Sequence, residues 1–286
     1  SQVFNAVEGN TTFYARPAPG TIARWAQVMP EHFRFTAKFP RDVSHEGDLR
    51  DQLEPAFDFT RLMAPLGQRV SPYWLQLPAQ FGPARLGELC HFLDQIAVPV
   101  AVEVRNQAFF AKGEEERLLN RLLHERGVER ICLDPRALFS CTSRDPAVLH
   151  AQSKKPRVPP RPAAFSQHPQ VRFIGHPELE ANHTFLSPWV EKVAAWIEEG
   201  RNPYIFLHTS DNRLAAALAQ RFHQRLAGTG VGGIAVVERR LGVGGGRQGG
   251  AGSEQGDEVA AGGHGGVDSV GAVRVQPRRQ SWNFFT

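Results

Sequence analysis

The sequence predicts an α/β fold, a (β/α)8 TIM-type barrel, and three observations carry that expectation. Short apolar runs of strand character alternate with amphipathic helical stretches along residues 1–241, the pattern of a parallel sheet built from right-handed crossover units. Hairpin signals between the runs are few. No GxGxxG or GxxxxGK[ST] loop follows an early run, which argues against an open nucleotide-binding sheet.

Seven strand-like runs stand in order: 3–7 "VFNAV", 33–39 "FRFTAKF", 73–77 "YWLQL", 100–104 "VAVEV", 130–134 "RICLD", 171–175 "VRFIG" and 204–209 "YIFLHT". A closed barrel needs one more. The chain opens without a Met, and the expectation is that a first strand precedes Ser1, leaving the strands that begin at Val3 and Tyr204 as facing edges. The stretch 270–276, "VGAVRVQ", is the other segment able to fill the gap, but its glycine-rich approach argues against it. Between the strands, "RLGELCHFLDQI" sets Leu86, Leu89, Cys90, Leu93 and Ile96 on one stripe, as one buried helix face requires. "SPWVEKVAAWIEEG" reads as a helix with a Ser187 cap, Pro188 at its first position and Gly200 as its stop. "NRLAAALAQRFHQRL" repeats Leu214, Leu218, Phe222 and Leu226 at helical spacing. Residues 242–286 hold 13 of the 27 glycines, show no apolar periodicity, and read as a structureless tail.

Composition narrows the class. With 41% apolar and 22% charged residues the chain reads as a soluble globular protein. No run reaches the ~18 apolar residues of a membrane span, and the first residues lack the pattern of a signal peptide. Three scattered cysteines without CxxC spacing point to free thiols in a cytoplasmic protein. A net charge of +4 suits an anionic ligand but is too small to imply nucleic acid.

The chemistry gathers at the strand ends. Alternate residues of a barrel strand face the axis, and the C-terminal ends of the strands form the active-site face. Glu8, Asn10, Thr12 and Tyr14 follow the first run in "VEGNTTFY". Lys38 lies near the end of the second, Gln76 ends the third, Glu103 and Arg105 alternate in the fourth, Asp134 ends the fifth, and His208 stands near the end of the last. Arg172 sits early in its run. Taken singly, each has a structural reading: Gln76 and His208 as satisfied core groups, Arg172 as a rim residue, Glu103 with Arg105 as an ion pair. Seven coincident polar strand ends are harder to explain by structure alone.

These residues lie in stretches, "FNAVEGNTTFYARP", "FRFTAKFP" followed by "VSH", "YWLQLPAQFGP", "VEVRNQAFFAKGEEE", "KKPRVP", "RFIG" and "FLHTSDN", that resemble the YecE-like family of bacterial proteins over residues 1–227. The resemblance implies a TIM-barrel domain of unknown function. It also implies that Glu8, Asn10, Thr12, Tyr14, Lys38, His45, Gln76, Glu103, Arg105, Asp134 and Arg172 occupy motif positions. The fold carries over; a reaction does not.

The leading functional expectation is an enzyme, of isomerase, lyase or hydrolase type, acting on a small anionic metabolite such as a sugar phosphate or carboxylate. Lys38, Arg105 and Arg172 would hold the anion. Glu8 or Glu103 would act as acid or base with His208 or His45 as proton partner, while Asn10, Thr12, Tyr14, Gln76 and Asp134 would complete substrate binding. No metal or other cofactor is expected. Two alternatives stand beside it. Glu8, Glu103, Asp134, His176 and His208 could hold a metal, although Lys38 and Arg105 would repel one. "SKKPRVPPRP", with Lys154, Lys155, Arg157 and Arg161, could track phosphates of a nucleic acid or dock a protein, although no aromatic residues interleave for stacking.

Overall fold

The computed structural model describes residues 4–231 and, as backbone, the strand 269–274. Nine strands are present among these residues: β1 (Ala6–Gly9), β2 (Arg34–Ala37), β3 (Tyr73–Gln76), β4 (Val100–Glu103), β5 (Glu129–Arg130), β6 (Cys132–Asp134), β7 (Gln170–Ile174), β8 (Tyr204–His208) and β9 (Ser269–Arg274). All seven expected runs appear as strands, the fifth split at Ile131 into β5 and β6.

Their pairing corrects the expected closed (β/α)8 barrel. The strands form one six-stranded sheet in the order β2-β1-β9-β8-β7-β6 and one three-stranded sheet, β3-β4-β5. The pairs β1–β2, β3–β4–β5 and β6–β7–β8 are parallel, whereas β9 runs antiparallel to both β1 and β8. Between β2 and β3 there are only the isolated bridges Phe35↔Val70 and Lys38↔Trp74. The expected open edges at β1 and β8 are also corrected, because β9 pairs with both. That strand lies inside the segment expected to carry no structure, and the remainder of 242–286 falls outside the described residues.

The helices pack on the outer faces of the strands, as the alternation implies. In the helix Leu86–Gln95, Leu86, Leu89 and Phe92 are buried, while Cys90, Leu93 and Ile96 are half-buried. The helix Ala215–Ala227 buries Leu218, Phe222 and Leu226, leaving Leu214 exposed. The helix expected to start at Pro188 instead spans His183–Glu198 with Pro188 inside it. The Ser187 hydroxyl does not cap; it donates to the His183 carbonyl at 2.8 Å. Arg225 Nη1 donates to the same oxygen at 3.3 Å.

Between the two sheets, Ala6, Trp74, Ala101, Ile131, Tyr204 and Phe206 form a separate buried cluster. Trp74 meets Phe206 edge-on at 4.9 Å, and its indole N–H donates to the Gln170 side chain. Gly9 ends β1 against the Phe35 ring; a Cβ there would stand 2.2 Å from a ring carbon, so only glycine permits this approach of β1 to β2. These contacts fix the height of Glu8, one residue earlier.

Candidate functional site

Strand alternation delivers one buried charged or polar side chain from each of several strands to a common place above Trp74. Glu8 is its hub. The Glu8 carboxylate lies 2.7 Å from Lys38 Nζ, 2.9 Å from Arg172 Nη2 and 2.8 Å from His208 Nε2. Arg172 bridges to the second carboxylate, Glu103, at 3.2 Å, and Arg105 donates Nε and Nη2 to the other Glu103 oxygen at 2.8 and 2.7 Å. Lys38 also donates to Gln76 Oε1 at 3.3 Å. The indole face of Trp74 lies 5.3 Å from Lys38 Nζ and 5.9 Å from the Arg172 guanidinium carbon, a favourable placement for both cations. Glu8, Lys38, Gln76, Glu103, Arg172 and His208 are all buried; the Arg105 side chain, 15% exposed, forms the outer edge.

Burial and charge set the protonation of the cluster. Burial would raise Glu8, but Arg172, Lys38 and His208 outweigh it and hold the carboxyl well below its ordinary range. The same opposition, burial against Arg172, Arg105 and Lys38, leaves Glu103 at about 2. Lys38 falls to about 8, through burial and then the charge of Arg172, against the pull of Glu8 and Glu103. His208 is lowered to about 4 by burial, despite Glu8. His45 is lowered to about 4 by burial and by Arg105 and Arg41. It lies beside Ser44 Oγ at 2.8 Å and edge-on to Phe13 at 5.1 Å, on the rim of the same field.

The other sequence-predicted residues fall outside this network. Thr12 is buried, and its hydroxyl bonds the carbonyls of Gly9 and Lys38 at 3.0 and 2.8 Å, fastening the end of β1 to the end of β2. Tyr14 is 81% exposed and packs on Phe13. Asn10 is half-buried and starts the short helix Thr11–Tyr14 without a side-chain cap bond. Asp134 is engaged by the backbone N–H and guanidinium of Arg136 and by the Trp189 indole N–H at 2.7 Å; its carboxylate ties β6 to a helix. His176 accepts from the Glu178 amide at 3.0 Å. Among the described residues no three His, Cys, Asp or Glu side chains come together in a set able to hold a metal, and Glu8 and Glu103 meet cations instead.

One residue of the cluster was placed elsewhere by sequence reasoning. Lys155 follows the helix Pro146–Lys154 in extended conformation, with the carbonyl of Lys154 taking a 3.4 Å bond from Arg105 and that of Arg157 a 3.4 Å bond from Gln107. The half-buried Lys155 amine has no hydrogen bond or ion pair among the described residues. Burial, then the charges of Arg172, Arg105 and Lys38, hold it well below the usual lysine range. The rest of the basic run is tied back to the protein. Arg157 lies over Phe139 at 5.6 Å, and Arg161 bonds Glu116 and the Phe110 carbonyl. That arrangement does not leave a basic strip to track phosphates.

Away from the cluster, a concavity of about 240 Å³ is lined by Ser71, Leu93, Val128, Glu129, Ser166 and His168 among others, none of them in the ionic cluster. Its Glu129 carboxyl is raised to about 7 by burial, against bonds from Ser166 and Phe165. The walls are largely apolar and Glu129 is satisfied by Ser166 at 2.7 Å, so the convergence of chemical groups stays with Glu8.

Residues 1–237 match the family described as "Protein of unknown function DUF72". The chain is 43% identical over 228 residues to the UPF0759 protein YecE of Escherichia coli K12, covering 79% of this chain and 84% of that protein, and 42% identical to its counterpart in strain O157:H7. In structure it is similar to crystal structures of a DUF72 family protein from Enterococcus faecalis V583. One has a TM-score of 0.57 at 19% identity, covering 78% of this chain and 85% of that one. The other also reaches 0.57, at 20% identity and with coverage of 79% and 89%. Among the described residues no helix is long and apolar enough to cross a membrane.

Proposed function

The chain belongs to the DUF72 family, with the YecE proteins among its relatives, and from its own geometry we propose that it is an enzyme acting on a small polar metabolite bearing a phosphate or carboxylate, bound at the Glu8–Arg172 cluster. The observation that carries this reading is a surplus of basic groups. Lys38, Arg105, Arg172 and Lys155 face the two carboxylates Glu8 and Glu103, and among the described residues the Lys155 amine makes no salt bridge of its own.

The roles divide by depth. Arg172 and Lys38 are engaged with the two carboxylates and hold the cluster together without ligand. Arg105 keeps Nη1 outward, with only the long bond to the Lys154 carbonyl, so the anion sits between Arg105 and Lys155. Glu8 and Glu103, held ionised by their cations, are weak bases. Lys38 titrates at about 8, where an amine can take and return protons near neutral pH, and burial shifts Lys155 in the same direction. Proton transfer therefore passes to amines, not to the carboxylates that strand position alone favoured.

Inorganic phosphate and pyruvate should raise the melting temperature, while glucose should not. At ~100 times its dissociation constant a ligand adds ~2.7 kcal/mol, roughly 5–11 °C for a domain of this size. Arg105→Ala should remove the shift in a folded protein, since Glu103 keeps Arg172. Stabilisation by glucose with none by the anions would contradict the reading.

A further inference from the structure

Of the two amines in the cluster, only one is free to react. Lys38 is buried and held by Glu8 at 2.7 Å and Gln76 at 3.3 Å. Lys155 is half-buried and without a bonded partner among the described residues, and its backbone is fixed on both sides by Arg105 and Gln107. A nucleophilic lysine needs three things: a held position, partial desolvation, and neighbouring cations that favour the neutral amine. Arg172, Arg105 and Lys38 supply the last of these.

We propose that Lys155 is a covalent nucleophile that forms an imine with a small carbonyl compound carrying a carboxylate or phosphate, the Arg105 guanidinium holding the anion and the Lys155 amine attacking the carbonyl carbon. This rests on the anion-site reading above and adds the reacting group. The step balances without any further reactant. The nitrogen lone pair forms the C–N bond and the carbonyl oxygen takes up one of the two amine hydrogens to give a carbinolamine. Loss of that hydroxyl with the remaining amine hydrogen, as water, leaves the C=N bond. The imine nitrogen, once protonated, draws electrons from the neighbouring carbon, the activation that lyases and isomerases of carbonyl substrates need. An anion beside Arg105 would at the same time offset the positive charge of Arg105, Arg172 and Lys38.

The depressed protonation of Lys155 supports its selection. A lowered pKa raises the fraction of free amine near neutral pH, and burial with the nearby Arg172, Arg105 and Lys38 moves Lys155 that way.

The experiment is reductive trapping. The full chain is incubated with cyanoborohydride and one of three probes: pyruvate, glyceraldehyde 3-phosphate, or the neutral propanal. Adducts are then mapped by peptide mass spectrometry. The expected result is an adduct on Lys155 with one or both anionic probes, about tenfold or more above that on Lys154, suppressed by inorganic phosphate and weak with propanal. Which anionic probe traps better separates a carboxylate substrate from a phosphate one. Lys155→Arg removes the nucleophile and should lose the adduct, whereas Lys154→Arg, whose side chain lies outside the ionic cluster, should keep both the adduct and the phosphate-induced thermal shift. Adducts spread evenly over the lysines, or none, in a protein that phosphate still stabilises would overturn the imine and leave the anion site standing. Neither adduct nor thermal shift would overturn both.

Discussion

Glu8→Gln is expected to cost roughly 3–5 kcal/mol, the penalty for removing one partner of a buried ion pair and leaving the other unmatched. For a domain of this size that is about 6–20 °C in melting temperature. The carboxylate is the shared partner of Lys38, Arg172 and His208, and no other acid can reach all three. Arg172 retains Glu103, so the stranded charge is chiefly Lys38. Because Lys38 titrates at about 8 even with Glu8 present, it can shed its proton in the variant. The loss should therefore be smaller at pH 9 than at pH 7, and Glu8→Gln with Lys38→Met should recover part of it. Lys38→Met alone should cost less than Glu8→Gln, since Glu8 keeps Arg172 and His208. A fall of under about 2 °C for Glu8→Gln would mean that the cluster is hydrated and its ion pairs carry little.

Acid should destabilise the protein through His208 before the carboxylates of the ionic cluster titrate. His208 has a pKa of about 4 in the fold against its ordinary 6.5. Between those values the unfolded chain binds a proton that the native state refuses, so stability falls as pH drops from 6.5 to 4. A shift of that size corresponds to roughly 3 kcal/mol. His45, also at about 4, adds in the same direction. Glu129 opposes them: raised to about 7 from 4.5, it is protonated in the native state first, and stability gained from it grows as pH falls through that window. Below pH 4.5 Glu103, held at about 2 by Arg172 and Arg105, adds to the loss, because the unfolded carboxylate takes a proton there while the native one stays ionised until pH nears 2. His208→Gln keeps a donor for Glu8 and cannot titrate. Thermal melts from pH 7 to 4.5 should show a flatter acid limb for His208→Gln than for the parent, and a steeper one for Glu129→Gln. Parallel curves for His208→Gln and the parent would show that His208 already carries its proton at neutral pH, as an ion pair with Glu8.

Much of the cluster was legible because period-two alternation decides which side chains face inward. Glu8, Lys38, Gln76, Glu103 and His208 stand at strand ends, and the fold gathers them. Arg172, early in its strand, looked peripheral but is the bridge between the two carboxylates, since its long side chain spans the height that its position lacks. Asp134 had the right strand position and a different employment: Arg136, two residues on, takes its carboxylate, and the second partner, Trp189, lies 55 residues away. Thr12 is similar, bonded to a carbonyl 26 residues on. Lys155 was hidden in a basic, proline-rich run, where charge suggests a solvated loop. Only the anchoring of Arg157 and Arg161 reveals that the run is held down. The closed barrel was expected because runs can be counted from sequence, whereas strand direction cannot. β9 enters antiparallel, from a segment whose glycines disguise it.

The central claim is that Lys155 is an unpaired amine in a cationic, anion-binding cluster. The most direct measurement is trace acetylation of the native protein across pH, read lysine by lysine against the five lysines of the sequence. Lys155 should titrate well below the ordinary lysine range, and phosphate should raise it toward that range. A Lys155 that titrates in the ordinary range and does not move with phosphate would contradict the account.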